Sequence, residues 1–184
     1  MSQIIILDTC VLINLLASEV IREIIRAAEE DFAICRLVKT EAVYLRPTGI
    51  SEVQAEPISL DDLVDSGDLK LVDIETETEQ SLYVDYAARL ADGEAMTMAL
   101  ARAREYHLAT DDRRARSIFA QSTNQMVMLS TSEIMRRWLD PEKPHEAHIV
   151  EVLCRIRDRA RFKPPRDDPN FEWWMTIIES GSGS

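Results

Sequence analysis

The sequence predicts a three-layer α/β/α sandwich, with a central parallel five-stranded sheet and a helical C-terminal extension. Three observations point there. The segment QIIIL at residues 3–7 is too uniformly apolar for a strand with one wet face, so it reads as a strand covered on both sides. Strand-like and helix-like segments then alternate as far as about residue 130. Helix-like residues also begin directly after a single charge, Asp8. A strand that ends on a carboxylate is a common way to present a ligand or catalytic group at a sheet edge.

The elements follow in order. Residues 9–17 read as a helix, and 19–30 place Val20, Ile21, Ile24, Ile25 and Ala28 on one helical stripe. FAICRLV (32–38) is the second strand. TEAVYL (40–45) starts another helix, with Thr40 as its N-cap. RPTGISEVQAEP (46–57), with two prolines and a glycine, reads as a connection, followed by a short helix near 59–65. LKLVDIE (69–75) is the third strand and 77–90 a helix that Asp92-Gly93 breaks. EAMTMALARAREY (94–106) is helical, HLAT (107–110) is the fourth strand, 113–121 is helical and QMVMLS (125–130) is the fifth strand. Right-handed crossovers bring the C-terminal ends of all five strands to one edge, where ligands bind in such folds.

Residues 1–131 form the main domain in this reading, and 132–180 form the extension. Ser130 and Glu133 make a capping-box pattern that opens a helix over 131–139. DPEKP (140–144) punctuates it, and 146–162 carry Ile149, Val152, Leu153, Ile156 and Ala160 on one helical face. The tail KPPRDDPNFEWW is expected to be ordered only if its aromatic residues dock. The closing Gly-Ser-Gly-Ser, residues 181–184, reads as an expression remnant outside the fold.

Composition narrows the class. With 46% hydrophobic and 29% charged residues, the chain of 184 residues is globular rather than disordered. No apolar run reaches the roughly 20 residues that span a bilayer, and the first 17 residues lack a basic leader, so neither a membrane partner nor a signal peptide is expected. Cys10, Cys35 and Cys154 are odd in number and far apart. That argues against a disulfide framework or a zinc site and for a reducing, cytoplasmic setting. The net charge of -12 disfavours a polyanionic partner at first sight. Its distribution weakens the objection. Residues 1–100 carry 7 basic and 20 acidic side chains, while 101–184 carry 14 and 13, so a polyanion can approach the second half.

Four acidic points matter: Asp8 after the first strand, Glu41 at the start of the helix after the second, Glu94 at the start of the helix after the Asp-Gly break, and Asp111-Asp112 after the fourth strand. Singly, each has an innocent explanation as a cap or as a carboxylate at a helix N-terminus. Gathered at one sheet edge they repel unless protonated or bridged by a cation. With no His or Cys cluster beside them, an all-oxygen site selects Mg²⁺ or Mn²⁺ over zinc.

Over residues 3–131 the chain resembles the PIN-domain nucleases, on the strength of ILDTCVLINLL, TEAVYL, LADGEAMTMALA and LATDDRRARSIFA. The resemblance implies that Asp8, Glu41, Glu94 and Asp112 are catalytic and that Asp8, Glu94, Asp111 and Asp112 contact the metal, with Glu41 acting through water or helping to deprotonate the nucleophile. Asp112 takes the family's T-x-D position with Thr110 as its threonine. Thr9 matches a hydroxyl often found beside the first aspartate, and Asn14 has a structural role. The implied reaction is phosphodiester hydrolysis by a Mg²⁺- or Mn²⁺-dependent endoribonuclease. Small members resemble VapC-type toxins, which implies an RNA substrate, a cognate antitoxin and a homodimer. The alternative is a catalytically inactive PIN-fold module that binds RNA or protein.

Basic side chains supply two candidate phosphate contacts. Residues 155–166 hold Arg155, Arg157, Arg159, Arg161, Lys163 and Arg166 against Asp158 alone, and Arg102, Arg104, Arg113, Arg114 and Arg116 lie nearer the acids. Arg113, Arg114, Arg155 and Arg159 are the candidates for RNA binding. Phe171, Trp173 and Trp174 either stack on bases or pin the terminus to the core.

Overall fold

A computed structural model describes residues 3–40, 44–45, 56–57, 60–121, 126–139 and 146–181. Five strands form one parallel sheet: β1 (Ile4–Leu7), β2 (Asp31–Cys35), β5 (Leu69–Val72), β6 (His107–Ala109) and β7 (Met128–Leu129), in the order β5-β2-β1-β6-β7. β1 is central. It pairs with β2 from Ile4↔Asp31 to Leu7↔Ile34 and with β6 from Ile5↔His107 to Leu7↔Ala109. Ile5, Ile6 and Leu7 are buried, as their unbroken apolar run requires. The chain leaves β1 toward one edge of the sheet and leaves β6 toward the other. The crevice beyond their C-terminal ends is therefore the switch point where open α/β sheets bind ligands.

The helices are α1 (Thr9–Ala17), α2 (Ile21–Ala27), α3 (Arg36–Thr40), α4 (Asp61–Asp65), α5 (Glu77–Ala87), α6 (Asp92–Ala103) and α7 (Arg113–Ala120). Gly67, at φ 77°, turns the chain between α4 and β5. α6 is buried along most of its length, from Ala95 to Ala101. It packs against α5, which Thr76 and Glu79 start with a reciprocal capping box.

One stretch differs from the sequence reading. β2 stops at Cys35, where its pairing with Val72 ends, and the chain turns at once into α3. The apolar residues of FAICRLV therefore serve a strand and then a helix, which periodicity cannot separate over so short a run. Thr40 ends α3 rather than capping a new helix, and its hydroxyl donates to the Leu37 carbonyl at 2.9 Å. Tyr44–Leu45 (β3) are not helical. They pair antiparallel with Glu56–Pro57 (β4) in a two-stranded ribbon.

The extension continues the core. α8 (Thr131–Leu139) opens with the expected capping box: Glu133 N–H donates to Ser130 Oγ at 3.2 Å, and Ser130 N–H to Glu133 Oε2 at 2.7 Å. α9 (Glu146–Arg155) runs into a π-helical turn, Ile156–Ala160, which Arg161 ends in the left-handed conformation at φ 58°. α10 (Phe171–Gly181) extends one residue into the expected remnant. Val152, Leu153, Ile156, Trp174 and Ile178 join the same buried cluster as β1 and α1. The aromatic tail is thus docked: Trp174 meets Phe162 and Trp173 edge-on, with ring centroids 5.4 and 6.1 Å away. Among the described residues no helix is long and apolar enough to cross a membrane.

Candidate active site

The site begins where β1 ends. Asp8 continues the ladder by donating its backbone N–H to the Ala109 carbonyl at 3.0 Å, then adopts the extended conformation of an N-cap. Its Oδ1 accepts from Val11 N–H at 3.1 Å and from the Cys10 thiol at 2.8 Å, and its Oδ2 accepts from the Thr110 hydroxyl. Only 2% of Asp8 is exposed. Burial pushes its carboxyl up to about 6, with the neighbouring Asp111 charge adding to the rise and the hydrogen bonds of Cys10, Thr110 and Val11 opposing it. Burial, with the negative charges of Asp8 and Asp111, also raises the Cys10 thiol far above its ordinary range.

Cys10 and Thr110 join Asp8 to the doublet. Thr110 Oγ1 accepts from Asp112 N–H at 3.1 Å, and Cys10 Sγ accepts from Asp111 N–H at 3.4 Å. The ends of β1 and β6 are therefore tied through side chains as well as backbone, which holds Asp8 in one orientation.

The two aspartates then diverge. Asp111 Oδ1 accepts from Thr131 N–H at 2.9 Å, and its Oδ2 accepts from the Thr131 hydroxyl at 2.6 Å and from Asn14 Nδ2 at 2.9 Å. Burial raises its carboxyl, while these bonds and Arg116 draw it back. Asp111 thus ties β6 to α1 and α8, with Asn14 as its partner on α1. Asp112 caps α7, its Oδ1 accepting from Ala115 N–H at 2.7 Å. With Glu94, in the first turn of α6, and Arg114, it lines an open pocket of about 450 Å³. Glu41 lies outside the described residues. Among the described residues, no three His, Cys, Asp or Glu side chains are grouped so as to hold one ion. What comes together is Asp8 with the Thr110 hydroxyl and, through Cys10 and Thr110, the backbone of the doublet, and Glu94 with Asp112.

The cap makes a separable prediction for Asp112. Asn caps as well as Asp, so Asp112→Asn should leave thermal unfolding nearly unchanged. Asp112→Ala should cost about 1 kcal/mol. A drop of that size in the Asn variant would show that charge, not the cap, is what the fold needs there. Thr9, the first residue of α1, is half-buried.

The arginines divide as well. Arg114 faces the pocket, and Arg113 pairs with Asp167 at 2.7 Å. Arg155 pairs with Glu151 and Glu19, and Arg159 with Glu19. Glu19 follows the far end of α1, about 13 Å along that helix from Asp8. Arg104 is held by Glu79 at 2.6 Å and by the Asp73 carbonyl at 2.7 Å, and Arg102 donates to Tyr86 Oη at 3.2 Å.

The sequence reading passed over Cys10 and Thr131. The capping box announced where α8 starts, but not that its first residue would donate twice to Asp111. A thiol two residues after a strand-ending aspartate gives no signal of its own.

A family model described as PIN domain matches residues 4–129. No curated protein and no solved structure matches the chain.

Proposed function

Because the chain belongs to the PIN-domain family, whose members are generally nucleases and typically use divalent metals, we propose that it is a Mg²⁺- or Mn²⁺-dependent endoribonuclease. The observation that carries this reading is Asp8. It is a buried carboxylate at the switch point of a parallel sheet, and no Lys or Arg pairs with it among the described residues. Its carboxyl lies near 6, with a second carboxylate close by. A buried negative charge without an ion pair fits a cation, and the oxygen-only donor set fits a hard one.

By resemblance Asp8, Glu94 and Asp112 are the candidates to hold the ion. Among the described residues only Glu94 and Asp112 share a pocket, and no three acids are grouped around one point. Asp8 would therefore have to reach the ion across the end of β6, with Asp111 fixing that end behind it. When bound, such an ion activates water and stabilises charge on a phosphoryl group. The chain's own residues do the rest. Cys10, Thr110 and Val11 orient the Asp8 carboxylate. Arg114, in the pocket of Glu94 and Asp112, supplies a guanidinium that suits a phosphate. Glu41 is assigned to the water or its proton by resemblance alone. As a VapC-type toxin the chain would act on cellular RNA, pair with an antitoxin and form a homodimer.

A second reading, a PIN-fold module that binds RNA or protein without cleaving, draws on the divergence of the doublet and on Asp111's three donors. One experiment separates the two. Labelled single-stranded RNA should be cut in Mg²⁺ or Mn²⁺ and stay whole in EDTA. RNA that is bound but left whole in both metals would favour the second reading.

A further inference from the structure

The segment between the π-helical turn and α10 is pinned at both ends. Pro164 is buried, Phe162 packs on Trp174, and Lys163 stands 5.4 Å from the Phe171 ring centroid. Between these anchors two aspartates face the nuclease domain. Asp168 accepts from Ser132 Oγ at 2.8 Å, from Ser130 Oγ at 3.3 Å and from Asn170 N–H at 2.7 Å. Asp167 accepts from Arg113 Nη2 at 2.7 Å. The segment roofs a cavity of about 260 Å³ whose other walls include Asp111, Arg116 and Ser130. A carboxylate therefore sits on the arginine that directly follows the doublet, at the rim of a cavity that reaches Asp111. It is delivered by a segment beyond the family-matched residues 4–129.

We propose that Arg113 is a contact for a backbone phosphate of the RNA, and that Asp167 occupies it in cis when no RNA is bound. The extension is then a strap that competes with substrate. This rests on the nuclease reading above and adds regulation to it. A carboxylate and a phosphate make the same charge-assisted contacts to a guanidinium, so one can stand in for the other. The two aspartates have different strengths of hold. Asp168 is half-buried on two serine hydroxyls and keeps the strap in place. The Asp167 and Arg113 side chains are 75% and 72% exposed, so their pair is screened and yields readily to a polyanion. Arg113 was among the sequence candidates for RNA binding. What the strap adds is a reason for its contact to be graded.

The test uses the full chain in EDTA, which holds cleavage off, and a labelled single-stranded RNA oligonucleotide followed by fluorescence anisotropy. Asp167→Asn should bind about 3- to 10-fold more tightly than the parent at low salt, with a steeper loss of affinity as salt rises. Arg113→Gln should erase that gain when combined with Asp167→Asn. Glu179→Gln, the same charge change on the exposed far end of α10, should give a much smaller gain. Unchanged melting temperatures confirm that the variants stay folded. The proposal fails if Asp167→Asn binds no better than the parent, if the double variant keeps the gain, if Glu179→Gln matches it, or if no variant binds RNA. Metal-dependent cleavage by the parent is read separately. A chain that cleaves but shows no gain in Asp167→Asn keeps the nuclease reading and loses the strap.

Discussion

Asp8→Asn should lower metal-dependent RNA cleavage by about a thousandfold, the scale of removing one preorganised electrostatic group from a reacting centre. The same change should stabilise the metal-free protein near neutral pH. Asn preserves the local structure: its Oδ1 still accepts from Val11 N–H, it caps α1 as well as Asp does, and its Nδ2 donates to Thr110 Oγ1 instead of accepting from it. What changes is the charge. In the folded chain the Asp8 carboxyl lies near 6, against 3.8 for an unhindered aspartate, so folding favours its protonated form. Below about pH 4 Asp8 carries no penalty. Between about pH 4 and 6 the unfolded chain ionises this carboxyl while the folded chain keeps it protonated, so stability falls by an upper figure of roughly 3 kcal/mol and levels off above 6. Asp111, raised in the same direction, adds to the fall. Glu79 acts oppositely. Held near 2, mainly by its bond to Arg104, it supports the fold above the ordinary carboxylate range and is lost only in strong acid, equally in both proteins. Calorimetry in EDTA should thus show parent and Asp8→Asn converging near pH 4 and separating toward pH 7, with the variant melting higher. Adding Mg²⁺ should raise the parent and leave the variant unmoved. Parallel pH profiles, or an Asn variant that cleaves at the parent's rate, would remove Asp8 from the proposed centre.

Trp174→Ala should destabilise the protein by about 3–5 kcal/mol, although the residue lies 45 positions beyond the family-matched segment. Trp174 is fully buried, edge-on to Phe162 and Trp173, in the cluster that also holds Val152 and Ile156. Truncation leaves a cavity that the π-helical turn, already packed on α1, cannot close. Trp174→Phe should cost far less. Among the described residues the Trp174 indole N–H has no acceptor, so Phe forfeits ring area but also removes an unsatisfied buried donor. Urea unfolding of the three proteins checks both halves. Equal losses for Ala and Phe would overturn the account in which ring area, not the indole N–H, carries the contribution of Trp174.

The place of Asp8 at a strand end was legible because an apolar run cut off by a charge suits a strand covered on both faces, and the residue that ends such a strand is fixed in space. Glu94 followed from the Asp-Gly break before α6, although that helix starts two residues earlier, at Asp92. The divergence of Asp111 and Asp112 was not legible. Adjacent residues leaving a strand point to opposite sides, but which side holds the pocket depends on α8, whose Thr131 is twenty residues away. The stretch from Leu37 to Leu45 misled for a related reason. Its apolar residues suit a strand or a helix equally, and the end of β2 was set by where its partner β5 ran out. The basic run at 155–166 looked like one patch. The fold instead gives Arg155 and Arg159 to Glu19 and leaves the cations nearest the acids on α7.

The thiol against Asp8 bears on how the protein ages. Only the thiolate attacks peroxide or alkylating reagents, and Cys10 is held as S–H by two flanking carboxylates and by burial. A sulfur that donates its proton to Asp8 is disfavoured as a thiolate, so this edge of the sheet carries a cysteine of low expected reactivity. Peroxide and alkylating reagents should therefore modify Cys10 far more slowly than they modify an unhindered thiol.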